Sequence, residues 1–198
     1  MLESIVQHDG LWCDKERRRR VKNHINIGHQ NIKERRERWP IPVAPGGVLA
    51  DYVPFYFAPR SPMLFVIHQG GVEGFTDGQN PIVHLVAETD QVAQRGLTTV
   101  FTDRHAAVAL ARYSGDLRLL EERIDWQVMD ARIWRNTVDD PDRKERRQAE
   151  FLVHRFLPWD LIREIGVRTR TVETAVKSIF HQTDNPPTVN LRPNWYYN

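Results

Sequence analysis

Residues 51–63 read Asp-Tyr-Val-Pro-Phe-Tyr-Phe-Ala-Pro-Arg-Ser-Pro-Met, and the reading of this stretch decides much of the fold. Tyr52 to Phe57 are aromatic and β-branched, which favours a strand. Pro54 places that strand at a sheet edge or a bulge, because proline cannot donate to an interior ladder. Ser61 before Pro62 is an N-cap with proline at the first helical position, so a helix is expected through about His68. Aromatics and prolines at this density also suit plain core packing.

Working upstream, Pro40, Pro42, Pro45, Gly46 and Gly47 break the chain ahead of the strand. Leu2, Ile5 and Val6 recur at helical spacing, which predicts a short helix over 2–9 with Gly10 as its stop. Between them the polar, basic segment to about residue 39 predicts helix and loop. Downstream, Gly70, Gly71, Gly74 and Gly78 mark 69–80 as a loop of the kind that covers ligands. Strands are expected at 82–87, 98–101, 126–133, 151–153, 164–169 and 188–191, with helices at 106–112 and 171–180. A charged turn or helix falls at 139–147 and a short helix after Pro158, and Trp195, Tyr196 and Tyr197 end the chain as an aromatic cluster. Strands and helices mix without regular alternation, so the fold class is α+β.

The chain has 198 residues, 40% hydrophobic and 27% charged, which fits one globular domain spanning 1–198 and not a disordered chain. No apolar run is long enough to span a bilayer, and Met1-Leu2-Glu3-Ser4 carries no secretory pattern. Cys13 is the only cysteine, so no intrachain disulfide can form, and a cytoplasmic compartment is the expectation. Net charge is only +2, but Lys15, Arg17 to Arg20, Lys22, Lys33, Arg35, Arg36 and Arg38 crowd one N-terminal stretch. Such a run suits phosphates. With Glu16, Glu34 and Glu37 among them, it equally suits a solvated helix face laced with ion pairs.

Several chemistries lack their motifs. The glycine-rich loop has no Gly-Lys-Ser/Thr ending, no Gly-x-Gly-x-x-Gly follows a strand, and no Gly-x-Ser-x-Gly elbow exists. Cys13, His24 and His29 are the nearest approach to a zinc set, yet nothing pairs with Cys13 at short spacing, so no metal is expected. Two features remain. Thr102-Asp103-Arg104-His105-Ala106 lies where a strand ends, either aiming side chains at a pocket or simply capping a helix. Gln148-Ala149-Glu150-Phe151-Leu152 sets one acid beside an apolar run, as a solvated edge charge or a placed catalytic group.

Taken together with Ile25-Asn26-Ile27-Gly28, Pro42-Val43, Gly46-Gly47, Ile124-Asp125-Trp126 and Asp139-Asp140-Pro141, these segments resemble the DarT family of bacterial toxins, which are DNA ADP-ribosyltransferases. They occur in family order and cover the chain from about residue 2 to its end. The resemblance implies an ADP-ribosyltransferase fold, α+β, with NAD in a cleft between two small sheets. It implies NAD as ADP-ribose donor, no metal, and a thymidine base in single-stranded DNA as acceptor. It also implies a DarG-type macrodomain antitoxin as partner, no membrane, and a monomer when free.

Residue by residue, Glu150 matches the family's catalytic glutamate. Arg36 is the site arginine, with Arg35 as the register alternative, and His105 matches the site histidine. Cofactor contacts fall on Gly28, Arg35, Tyr52, Phe55 and Tyr56, the three aromatics walling the nicotinamide pocket. The family also carries a strand with an NAD-binding histidine ahead of the first helix. This sequence opens directly on that helix, which points to a translation start upstream in preference to a truncated enzyme. Two other readings differ in class: an impaired relative that only binds single-stranded DNA, and a metal-dependent nuclease using Asp103, His105 and Glu150.

Overall fold

A computed structural model of the protein describes residues 2–20, 30–72, 74–181 and 185–198. The chain opens with helix α1 (Leu2–Gln7), strand β1 (Gly10–Trp12) and helices α2 (Asp14–Arg20) and α3 (Gln30–Arg38). Strand β2 (Tyr52–Tyr56), helix α4 (Pro62–His68), strand β3 (His84–Ala87), helix α5 (Thr89–Gln94) and strands β4 (Thr99–Thr102) and β5 (Tyr113–Ser114) follow. Three short helices, α6 (Leu120–Arg123), α7 (Trp126–Asp130) and α8 (Arg143–Arg146), lead to strands β6 (Glu150–His154), β7 (Phe156–Pro158) and β8 (Ile162–Val167). Helix α9 (Arg170–Ile179) and strand β9 (Thr188–Leu191) complete the order.

The described residues form two small sheets and a two-stranded ribbon: β2-β6-β4-β5, β3-β8-β9 and β1-β7. Pro54 sits on β2, an edge strand, where its missing N–H costs nothing to an interior ladder. Ser61 caps α4 by accepting from the Leu64 amide, with Pro62 next in line. The main core fills the space between the larger sheets: Val53, Phe101, Phe151 and Val153 from one, Ile165, Val167 and Val189 from the other. The opposite face of the four-stranded sheet carries a second cluster of Ile41, Leu49, Tyr52, Val100, Ala106 and Leu152. Successive strand residues point to opposite faces, so each strand feeds both clusters.

Three local expectations are corrected. Residues 106–112 are not a helix. They belong to the loop joining β4 to β5, closed by the Arg112 amide on the Asp103 carboxylate at 2.9 Å, and Ala106 spends its amide on Glu150 and its carbonyl on Tyr113. Residues 126–130 are helical, not extended, because Asp125 caps them by accepting from the Val128 amide at 3.0 Å. Gly10 does not merely stop α1 but begins β1, pressed so close to β7 that a Cβ would lie 2.2 Å from the Leu157 carbonyl oxygen. The ribbon β1-β7 was therefore not anticipated.

The aromatic C-terminus is a clasp. Tyr196 donates to the carbonyls of Ile82 and Gly166, and Tyr197 donates to those of Arg60 and Ser61. Trp195 packs closely against Gly166, where a Cβ would meet its ring at 2.3 Å. Gly166→Ala is therefore expected to cost about 1–3 kcal/mol through overpacking. A lowered urea midpoint with a changed tryptophan emission is the expected result, and an unaltered midpoint would show that this seat carries no stability.

Candidate active site

Glu150 opens β6 directly opposite Tyr56, the last residue of β2, and its amide donates to the Thr102 hydroxyl at 3.2 Å. This register sends its side chain to the face of the second cluster, at the end of the sheet. The carboxylate is 3% exposed. One oxygen accepts from Arg36 Nη1 at 2.8 Å; the other accepts from the Ala106 amide at 3.0 Å and lies 3.3 Å from His105 Nδ1. Burial by itself would raise this carboxyl, but the Arg36 charge and the His105 contact outweigh it and hold it at about 2. The glutamate is thus ionised throughout the working range. Burial likewise works against the Arg36 charge, and Glu150 more than restores it.

Two contacts compete at His105. Its Nδ1 also lies 3.2 Å from the Ala107 amide. An unprotonated Nδ1 accepts from Ala107, whereas a protonated one donates to Glu150.

Arg36 reaches the site from α3 and is itself only 9% exposed. Its second terminal nitrogen, Nη2, is buried with no hydrogen-bond partner among the described residues. Buried guanidinium donors are ordinarily satisfied, so an aimed and unpaired one is a place for a ligand oxygen. Arg35, the neighbouring register, instead lays its guanidinium over the Trp39 ring at 4.8 Å.

The helical and loop segments around Glu150 are tied by Arg146. This arginine pairs with Asp125, Asp140 and Asp142, and Asp142 also takes Arg104 at 3.1 Å. The His105 amide donates to the Glu145 carbonyl at 3.0 Å and the Ala149 amide to that of Arg146 at 3.0 Å. Asp103, Asp125 and Asp140, each within a motif singled out in the sequence, therefore act as partners of arginines or amides around the site. Asp103 faces Arg104 and the Arg112 amide, so the triad of the nuclease reading does not assemble. No group of three or more His, Cys, Asp or Glu among the described residues is placed to hold a metal ion.

The three aromatics expected to wall one pocket do not share a wall. Tyr52 is 1% exposed, its ring in the second cluster and its hydroxyl on the Gly46 carbonyl at 2.7 Å. Phe55 points to the opposite face, against the main core, as strand alternation requires. Tyr56 alone lies on the Glu150 face with an open side, being 39% exposed. Burial around its hydroxyl, then the Glu150 charge, push that phenol well above its usual range. Gly28 lies outside the described residues. The basic run on α2 is laced with ion pairs: Arg17 to Asp14 at 3.0 Å, Arg18 to Glu37, Arg19 and Arg20 to Glu16, and Lys15 to Asp51 at 2.8 Å. On α2 this matches the face-lacing alternative, with Arg19 and Arg20 sharing the one Glu16 carboxylate. Sequence reasoning passed over Trp39 and Tyr113, both hydrogen-bonded beside Glu150; neither belongs to a recognised motif.

Two facing small sheets with a buried glutamate at a strand start belong to the ADP-ribosyltransferases, and solved structures bear this out. Thermus sp. 2.9 DarT in complex with ADP-ribosylated ssDNA superposes with a TM-score of 0.91 at 40% identity, over 99% of this chain and 91% of that one. The same Thermus protein in complex with NAD+ gives 0.87 at 38% identity, over 99% and 92%. A DNA ADP-ribosyl transferase of Thermus sp. (strain 2.9) is 46% identical over 87% of this chain and 81% of its own length. The family described as "ssDNA thymidine ADP-ribosyltransferase, DarT" matches residues 1–197, and the chain belongs to it.

Proposed function

We propose that this protein transfers ADP-ribose from NAD to a thymidine base in single-stranded DNA, releasing nicotinamide. The observation that carries the reading is the buried Glu150 carboxylate, ionised and held by Arg36, whose Nη2 has no partner among the described residues. As the bond from the ribose to nicotinamide breaks, nicotinamide leaves with the electron pair and positive charge builds on the sugar. A fixed carboxylate on the ribose hydroxyl stabilises that state more than the ground state. The thymine nitrogen then bonds to the ribose carbon, and its proton passes to water.

Glu150, Arg36 and His105 are the catalytic residues in this reading. Arg36 Nη2 meets donor or acceptor oxygens, His105 places the acceptor nucleotide, and Tyr56 lends its open ring to nicotinamide. Single-stranded DNA suits the chemistry because an unpaired base enters a pocket without the cost of unstacking a duplex. The remaining parts are a DarG-type macrodomain antitoxin and a monomeric free state, which rest on family membership, and a single domain over 1–198 in a cytoplasmic setting, which rest on length, composition and the lone Cys13. No helix among the described residues is long and apolar enough to cross a membrane.

The test is intact mass of thymidine-containing and thymidine-free single-stranded oligonucleotides after incubation with the protein and NAD. A gain of one ADP-ribose on the first alone is expected. Gain on both would remove thymidine as the acceptor, and binding without any gain would make the protein a DNA-binding relative with no transferase activity.

A further inference from the structure

The second cluster contains a chain of polar contacts that the catalytic assignment leaves unused. Trp39, at the end of α3, donates its indole N–H to the Tyr113 hydroxyl at 3.0 Å. The Tyr113 hydroxyl donates in turn to the Ala106 carbonyl. Ala106 then gives its own amide to Glu150 at 3.0 Å, and Arg36, one helical turn before Trp39, holds the other carboxylate oxygen at 2.8 Å. These contacts close a ring from α3 through β5 and the β4–β5 loop to Glu150 and back to α3.

We infer that Tyr113 is a positioning residue for the transferase reaction, acting through Ala106 to fix the orientation of the Glu150 carboxylate. This rests on the function proposed above.

Among the described residues, Tyr113 is the side chain that holds the Ala106 carbonyl. The Ala107 amide, on the same peptide plane as the Ala106 carbonyl, lies 3.2 Å from His105 Nδ1. The Ala106 amide is on the adjacent plane, joined at Cα, so how far it can turn depends in part on what grips the carbonyl. Tyr113 is that grip, and Trp39 fixes the hydroxyl so that its proton faces the carbonyl. Burial pushes the phenol up to about 12, so the donor keeps its proton across the range in which the enzyme works. The side chain also lies within electrostatic reach of both Glu150 and Arg36.

The test compares native protein with Tyr113→Phe, Trp39→Phe and the double variant, reading steady-state NAD and oligonucleotide kinetics, melting temperature and the ¹⁵N–¹H resonance of Ala106. Tyr113→Phe is expected to lower kcat about tenfold, the effect of one net hydrogen bond, with KM for NAD and DNA unchanged. The Ala106 amide proton is expected to move upfield, and the double variant to be no slower than Tyr113→Phe, as members of one unit are non-additive. An unchanged kcat in an active protein, a fall in kcat matched by loss of folded fraction, or an unmoved Ala106 resonance overturns the inference. Native protein without transferase activity would instead overturn the proposed function, and the Ala106 resonance would still show whether Tyr113 sets that amide.

Discussion

Glu150→Gln is expected to lower ADP-ribose transfer by about 10²–10³-fold, the usual cost of losing one preorganised electrostatic group, while the chain stays folded. The glutamine keeps the size of the side chain but not its charge, so the developing positive charge on the ribose loses its counterpart. It also puts an NH2 where Arg36 Nη1 or the Ala106 amide now donates, with only an unprotonated His105 Nδ1 beside them able to accept. One of them goes unsatisfied, so some stability is lost as well. Glu150→Ala is the harsher change, because it leaves the buried Arg36 charge alone, at a cost of about 3–5 kcal/mol. Single-turnover transfer to a thymidine oligonucleotide beside a thermal melt separates the two effects. A folded Glu150→Gln protein transferring at the native rate would strip Glu150 of its catalytic role.

Arg36→Ala should damage both activity and stability, with a pH signature. The native Glu150 carboxyl sits at about 2, below its ordinary value of 4.5. A depressed carboxylate pKa stabilises the folded state above the unfolded pKa, and that contribution fades as pH falls from about 4.5 towards 2. Without Arg36 the main counter-charge is gone and burial dominates, which lifts the carboxyl above its ordinary value. The sign then reverses: folding of the variant is weakest near neutral pH, at about 3–5 kcal/mol below native, and recovers on acidification as Glu150 takes a proton. Urea midpoints of both proteins at pH 7 and pH 5 check this. The gap between them should narrow at the lower pH, and a constant gap would mean that Arg36 does not set the charge state of Glu150.

These effects come from contacts between residues 114 positions apart, and that separation marks how far the sequence could be read. Local signals were sufficient wherever a single residue dictates its own backbone. Ser61-Pro62 announced α4, Pro54 announced an edge strand, and the aromatic and β-branched runs located β2, β4, β6, β8 and β9. They misled where a side chain's partner lies elsewhere. Residues 106–112 have helical composition, but Ala106 gives its amide to Glu150 and its carbonyl to Tyr113. Trp126 to Asp130 read as extended until Asp125 is recognised as their cap. The ribbon between β1 and β7 had no periodicity to betray it, since three residues cannot show one.

The sequence by itself determined the fold class, the family, and the segments that meet around Glu150. Motif spacing survives in one dimension, because each of those segments carries its chemistry within a few residues. Which faces those residues present is a different matter, settled by strand register and burial. Tertiary structure alone separated Tyr56 from Phe55 by strand alternation, sank Tyr52 into a core, paired Arg36 instead of Arg35 with Glu150, and set carboxylates against the arginines of α2. It also joined Trp39, Tyr113 and Ala106 into a support for one carboxylate. A hydrogen bond depends on a few tenths of an ångström between groups that the chain brings together only by folding, and no local pattern encodes that.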